Sequence, residues 1–513
     1  MSNESNNTSS IISKVWSFCT ILKDDGVSYG DYLEQLTYLL FLKMADEFSK
    51  PPYNRDFKFP HLKDEKDKEV VTSERCTWEN LKSKRGAELE GFYTSLLRSL
   101  SSEKGMIGQI YIKSQNKIQD PAKLYKLIDM IDKEQWNTMG ADIKGKIYEG
   151  LLEKNAEDTK SGAGQYFTPR ALIRAMVLCM QPQPMKTIAD PACGTGGFFL
   201  AAYDYIANPK NYALNREQKE FLKLNTFFGN EIVALTRKQA LMNLFLHNIG
   251  DFTSETFISP ADALISDSGL RVDMILANPP FGKKSSMTST NDEGEQESEE
   301  LSYNRQDFIV STSNKQLNFV QHIRTMLKSD GRAAVVLPDN VLFEGGAGET
   351  IRKKLLETTN LHTILRLPTG IFYKQGVKAN VLFFDNKPAS KNPWTKEIWF
   401  YDFRTNIKFS LKKSPLRLED LTDFIACYNA DNINKRKEIY NADTNPEGRW
   451  RKFTYQDIIE RDKTSLDISW IKDNSLTDLD NLPDPDFLAS DIIENLRLGI
   501  ESFEEIMLTI NGK

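Results

Sequence analysis

The sequence predicts an α/β protein in which a mostly parallel sheet carries helices on both faces, with a helical region before it and a helical extension after it. Three observations predict this. Residues from about 165 to 390 alternate short β-rich runs with longer amphipathic stretches; residues 11–150 show helical spacing without strand–turn alternation; and an apolar stripe at helical spacing follows the chain break at "NLPDPDF". A chain of 513 residues has room for two or three domains with their own cores. The reading divides it into a disordered tail (1–10), a helical N-terminal domain (11–150), a sheet-bearing domain (151–390) and a C-terminal region (391–513).

Composition narrows the class. Apolar content of 40% and charged content of 27% are ordinary for a soluble globular protein. The polar start "MSNESNNTSS" reads as a tail rather than a cleavable leader, and no apolar run approaches the roughly 20 residues that span a bilayer. Five scattered cysteines without a CxxC pair, beside four histidines, argue against disulfide scaffolding and zinc and fit a reducing cytoplasm. A net charge of −6 does not announce a nucleic-acid binder, so a DNA substrate would need local basic patches or a partner to supply phosphate attraction.

In the N-terminal region, "SYGDYLEQLTYLLFLKMADEFSK" sets Tyr32, Leu36, Leu39, Leu40 and Lys43 along helical spacing, with Asp31 near the start. "AELEGFYTSLLRSL" and "PAKLYKLIDMIDK" continue the helical pattern. Candidate strands then come at 186–190, 225–231, 272–278, 332–338, 362–368 and 380–384. Between the third and fourth, residues 284–305 are acidic and poor in apolar residues, which reads as a mobile, solvated insertion. After about 390 the pattern is less regular. At the end Leu488, Ile492, Leu496, Ile500, Phe503, Met507 and Ile510 share one helical face, suited to closing on its own domain or packing against a partner's helix.

"TIADPACGTGGFFLAAYDYI" ends a strand on Asp190 and turns through Ala192, Gly194, Thr195, Gly196 and Gly197 into a helix. The glycines allow close backbone approach to a ligand. A lone glycine turn is weak evidence and also suits a dinucleotide, but its spacing departs from GxGxxG and an acidic residue precedes it. Glu231 ends the next strand, where a carboxylate suits ribose hydroxyls, and Asp262 in "SPADAL" could accept from an adenine amino group. In order, these carboxylates describe an adenosine-shaped pocket without a pyrophosphate cradle, which favours S-adenosylmethionine over NAD. Upstream, Thr168 followed by Pro169 reads as a hydroxyl N-cap and a first-turn proline, and a helix N-terminus can hold a carboxylate.

"MILANPPFGKK" drives a strand into Asn278, Pro279, Pro280 and Phe281. Prolines lack the ladder donor, so the strand stops there and displays Asn278 and Phe281 at its carboxyl end. The exocyclic amine of adenine is a poor nucleophile because its lone pair is delocalised into the ring. An asparagine oxygen and the Pro279 carbonyl accepting its two hydrogens would let the nitrogen rehybridise, while Phe281 stacks on the base; positioning then carries the reaction. Such a base must leave the duplex.

"DPACGTGGF", "NPPF" and "GQYFTPR" resemble the motifs of DNA N6-adenine methyltransferases, in an order similar to the gamma arrangement. The added "YLEQLTYLLFLKMADE" resembles the modification (M) subunit of type I restriction–modification systems. The resemblance covers about residues 15–390. It implies a Rossmann-like methyltransferase sheet, S-adenosylmethionine as cofactor and double-stranded DNA as substrate. It also implies a separate specificity (S) subunit, with two M to one S, and a restriction (R) subunit that joins for cleavage. Carried over by motif, Gln165, Tyr166, Phe167, Thr168, Pro169 and Arg170, together with Thr195–Gly197 and Glu231, would contact cofactor, and Asn278 to Phe281 would act on adenine. Only about 120 residues come after "NVLFFD", which leads us to expect that sequence reading is delegated and that the C-terminal helix docks on the S subunit. Two rivals remain, a stand-alone DNA methyltransferase with its own recognition element in 390–513 and a protein-glutamine methyltransferase. The latter typically shows NPPY on a shorter chain, so Phe281 and the helical N-terminal region count against it.

Overall fold

The computed structural model describes residues 27–51, 58–63, 74–134, 150–152, 168–251, 257–281, 286–290, 296–300, 305–372, 377–411 and 414–473, with isolated positions such as 148, 303, 492, 493, 496 and 500. Two compact units share the chain: Met1–Ala163 with Pro182–Ala263, and Gly164–Gln181 with Leu264–Lys513.

In the first unit the helical spacing of the N-terminal region is realised. The helix Tyr29–Ser49 starts on Ser28, whose hydroxyl accepts from the Asp31 backbone N–H at 3.1 Å. Tyr32, Leu36, Leu39 and Leu40 are buried, and so are Leu33, Tyr38, Phe41 and Met44. That burial around the helix is wider than one stripe, because a second helix, Ala234–Leu246, covers it: Phe41 and Phe245 lie 4.9 Å apart by ring centroids. The helices Gly86–Ser101 and Pro121–Asp132 occupy the two other expected segments, the latter with its proline in the first turn and Asp120 as cap. Three parallel strands come next, β1 (Ile188–Asp190), β2 (Phe227–Asn230) and β3 (Ile258–Ser259), with Asp190 beside Gly229 and Asn230 beside Ser259. Strands β1 and β2 fall where the apolar runs predict them; β3, two residues long, left no periodic signal.

Ala234–Leu246 is buried on every side although it carries Arg237, Lys238, Gln239 and Asn243. Each buried polar group needs a partner. The ammonium of Lys238, a residue 5% exposed, donates to Glu34 and to the Tyr38 hydroxyl, both at 2.7 Å. Asn243 donates to the Thr195 carbonyl at 3.0 Å. One helix therefore ties the N-terminal helices to the glycine turn.

The second unit is built on β4 (Val272–Ala277), β7 (Leu327–Pro338), β8 (Thr359–Arg366), β9 (Ala379–Asn386), β10 (Glu397–Asp402) and β11 (Trp450–Thr454). β4 and β7 pair parallel, as do β8 and β10; β9 inserts antiparallel between β7 and β8, and β11 pairs antiparallel with β10. The two last strands lie in the stretch that reads as irregular. "EIWFYD" is apolar on both faces and so lacks the period-2 alternation of a half-exposed strand; Trp399 stacks on Trp450 at 5.1 Å. Within the acidic insertion, β5 (Ser286–Thr290) and β6 (Gln296–Glu300) pair as an antiparallel two-stranded ribbon, where composition alone predicts a loop. The threonines of the first of these strands, Thr288 and Thr290, are residues enriched in strands. Among the described residues no helix is long and apolar enough to cross a membrane.

Candidate active site

The expected site residues fall into two groups, one in each unit. In the first, the carboxyl ends of three parallel strands carry Asp190, Glu231 and, three residues beyond β3, Asp262. That end of a parallel sheet is where ligands bind in open α/β folds. Asp190 is 2% exposed and accepts from the Ala192 N–H at 2.9 Å, so it shapes the turn. Burial pushes its carboxyl up to about 8, the Ala192 N–H opposes the shift and the neighbouring Glu231 charge adds to it. Gly194 and Gly196 hold φ of +54° and +82°, a left-handed backbone that side chains disfavour, and a Cβ at Gly196 would lie in contact with Leu244. Gly197 opens the helix Gly197–Ala207. A Cβ at Gly229 would meet the Cys193 sulfur at 2.9 Å and Phe199 at 3.0 Å, so Cys193 is a small packing residue against a strand that passes close by.

Glu231 stands just after β2. Its carboxylate accepts from the Val233 N–H at 2.7 Å and is also hydrogen-bonded by the Gly194 and Ile232 amides. Burial nevertheless raises it above the ordinary glutamate value. The two residues after it, Ile232 and Val233, are 60% and 51% exposed. Periodicity gave no sign of these exposed aliphatics beside a partly buried carboxylate.

The second group gathers at the end of β4. Asn278 donates through Nδ2 to the Thr168 hydroxyl at 2.8 Å, across 110 residues of chain, and its Oδ1 is buried without a hydrogen-bond partner. Pro279 is buried and Pro280 exposed. Phe281 is half-buried and meets Phe372 edge to face, with centroids 5.9 Å apart and planes at 73°. Phe372 comes from a loop after β8 and is a site neighbour that sequence reading missed; an aromatic in an irregular segment has no period to betray it.

Thr168 corrects an expectation. The helix Arg170–Met180 begins one residue later than the Thr-Pro signal suggests, with Pro169 in the cap position and no side-chain cap. The Pro169 carbonyl accepts the first intrahelical bond from Ile173 at 3.1 Å, and the Thr168 hydroxyl is spent on Asn278. A tertiary partner outbids the local cap here. Gln165, Tyr166 and Phe167 lie outside the described residues.

With this geometry in place, comparison with known proteins is decisive: the model of the N-6 DNA methylase family matches residues 139–469. The chain belongs to that family. The model of the HsdM N-terminal domain matches residues 11–131. The chain is 37% identical over 535 aligned positions to the type I restriction enzyme StySJI methylase subunit of Salmonella typhimurium, covering 98% of this chain and 95% of that one. It is 36% identical, with the same coverage, to the EcoKI methylase subunit of Escherichia coli K12. The crystal structure of the EcoKI M protein matches with a TM-score of 0.52 at 32% identity, over 98% of this chain and 96% of that chain. This N-6 DNA methylase is therefore a DNA adenine methyltransferase of the type I restriction–modification methylase kind, with the mixed α/β sheet expected of it.

Proposed function

We propose that the chain transfers the methyl group of S-adenosylmethionine to N6 of an adenine extruded from duplex DNA, with a separate specificity subunit reading the sequence. The observation that carries this reading is the Asn278 side chain: its nitrogen is engaged by Thr168 while its oxygen is buried and unpaired. A buried acceptor without a donor is costly in a protein at rest, and an exocyclic amine would satisfy it. Asn278 Oδ1 takes one amino hydrogen, the Pro279 carbonyl takes the other, and Phe281 lies against the face of the base. The lone pair is thereby withdrawn from the ring; the nitrogen turns cationic and strongly acidic on methylation and passes its extra proton to water, so no strong general base is needed.

The first group fits the methyl donor. Glu231 offers carboxylate oxygens to ribose hydroxyls, Asp262 an oxygen to the adenine amino group, and Ile232 with Val233 an apolar surface for the base. Gly194 to Gly197 let the backbone approach, and Asp190 fixes their turn through Ala192. By the motif resemblance Gln165–Arg170 would also contact the donor, and the helix that starts at Arg170 offers free N–H groups of the kind that suits a carboxylate. When bound, S-adenosylmethionine supplies an electrophilic methyl on its sulfonium.

Partner use rests on different support. The relatives are named as subunits of restriction enzymes. Ile492, Ile493, Leu496 and Ile500 are all at least half exposed, an apolar face of the kind that docks on another helix. We assign that face to the specificity subunit, in an assembly of two such chains with one specificity subunit that a restriction subunit joins for cleavage. Methyl incorporation into unmethylated plasmid DNA tests the whole reading. Activity with the specificity subunit, lost in Asn278→Ala, supports it; full activity with no partner favours a stand-alone enzyme.

A further inference from the structure

The residue that holds Asn278 is itself unassigned for this chemistry. An asparagine amide has two ends of nearly the same shape, and only one can serve an amine. If Oδ1 faces the adenine N6 it accepts; if Nδ2 faces it, two donors meet. The χ2 torsion that exchanges the ends is broad and roughly two-fold, so the side chain needs an anchor. Thr168 is that anchor: its hydroxyl takes the Nδ2 hydrogen at 2.8 Å, from a residue only 9% exposed, and Oδ1 is left as the open acceptor. The hydroxyl has no competing local duty, since the next helix is capped at Pro169 without side-chain help. The backbone around Thr168 is likewise fixed from its C-terminal side, because Pro169 is rigid and the helix starts at Arg170.

We propose that Thr168 is a positioning residue for methyl transfer, one that acts on the adenine through the Asn278 amide and not by holding the methyl donor. The inference rests on the reading of Asn278 as the acceptor of the adenine amine. It separates Thr168 from the role its motif suggests, contact with cofactor, and the two roles differ in what a substitution moves.

The test uses the full-length chain in its assembled methyltransferase, with single-turnover methylation of duplex DNA beside calorimetric titration of S-adenosylmethionine. Thr168→Val keeps the shape and removes the hydroxyl. We expect its rate constant to fall about tenfold, the scale of one neutral hydrogen bond, with cofactor affinity within about twofold of the parent. Thr168→Ser restores the hydroxyl and should restore the rate. A valine variant that methylates at the parent rate, or one that loses cofactor affinity as much as rate, overturns the assignment. The serine variant gives an independent reading should valine impair folding, since a serine variant at a tenth of the parent rate or less overturns it too. Asn278→Ala distinguishes the two layers. Activity retained in that variant removes the underlying reading of Asn278, whereas an inactive Asn278→Ala beside a fully active Thr168→Val removes only the role of Thr168.

Discussion

Phe281 and Phe372 meet edge to face, 5.9 Å apart, although 91 positions separate them in the chain. Phe281 is half-buried and Phe372 is 1% exposed, so the first has a face to offer and the second holds it. Phe281→Ala should slow methylation by about five- to 150-fold, the range for losing roughly 1–3 kcal/mol of base stacking, with Phe281→Tyr close to the parent. Phe372→Ala should instead register in stability, at about 3–5 kcal/mol for a buried phenylalanine. Paired rate and melting measurements check the split; equal rates for Phe281→Ala and the parent would contradict it.

Glu231 predicts a cofactor effect without a rate effect of the same kind. Its carboxylate is ordered by backbone amides at the end of β2 and carries a raised pKa from burial. Glu231→Gln keeps the shape but removes the charge that strengthens a hydroxyl hydrogen bond. Calorimetry should show S-adenosylmethionine binding weakened by about ten- to 150-fold, the scale of a hydrogen bond to a charged group. Unchanged affinity would remove Glu231 from the donor site.

Asp190 predicts a pH dependence of stability. Its folded carboxyl titrates at about 8 because burial disfavours the charge, against roughly 3.9 for a free aspartate. Between those values the folded chain holds one more proton than the unfolded chain, so this residue makes stability fall as pH rises from about 4 to about 8 and adds no slope above that. Asp190→Asn keeps an acceptor for the Ala192 N–H and removes the titration. Melting temperatures from pH 5 to 9 should decline less in that variant than in the parent; parallel profiles would contradict the assignment.

The C-terminal face predicts an assembly phenotype. A chain ending at Pro485 lacks Ile492, Ile493, Leu496 and Ile500 and should co-elute poorly with the specificity subunit in gel filtration while binding S-adenosylmethionine as the parent does. Undiminished co-elution would place the partner contact elsewhere.

The legible part of the fold has a physical basis. Short β-rich runs predict β1, β2, β4, β7, β8 and β9, because a buried strand must be largely apolar whatever packs on it. The strand ends carrying Asp190, Glu231 and Asn278 were legible because glycines, prolines and polar residues stop each run there. Thr168 was misread because a capping signal is local, while its partner Asn278 arrives from 110 residues away. Phe372 was missed because loops carry no period, and β10 because burial on both faces erases alternation; β11 buries only Trp450 and so offers no apolar run. The polar residues of Ala234–Leu246 gave no hint of burial; distant partners make it tolerable, Glu34 and Tyr38 for Lys238 and the Thr195 carbonyl for Asn243.

The central claim is that Asn278 Oδ1 and the Pro279 carbonyl receive the two hydrogens of an extruded adenine amine. Its most direct test is a structure of the assembled enzyme on duplex DNA with a non-reactive analogue of S-adenosylmethionine. The account predicts the target adenine out of the helix, with N6 within hydrogen-bond distance of both oxygens and Phe281 against the ring. An adenine held with its N6 away from Asn278, or bound while still stacked in the duplex, would contradict it.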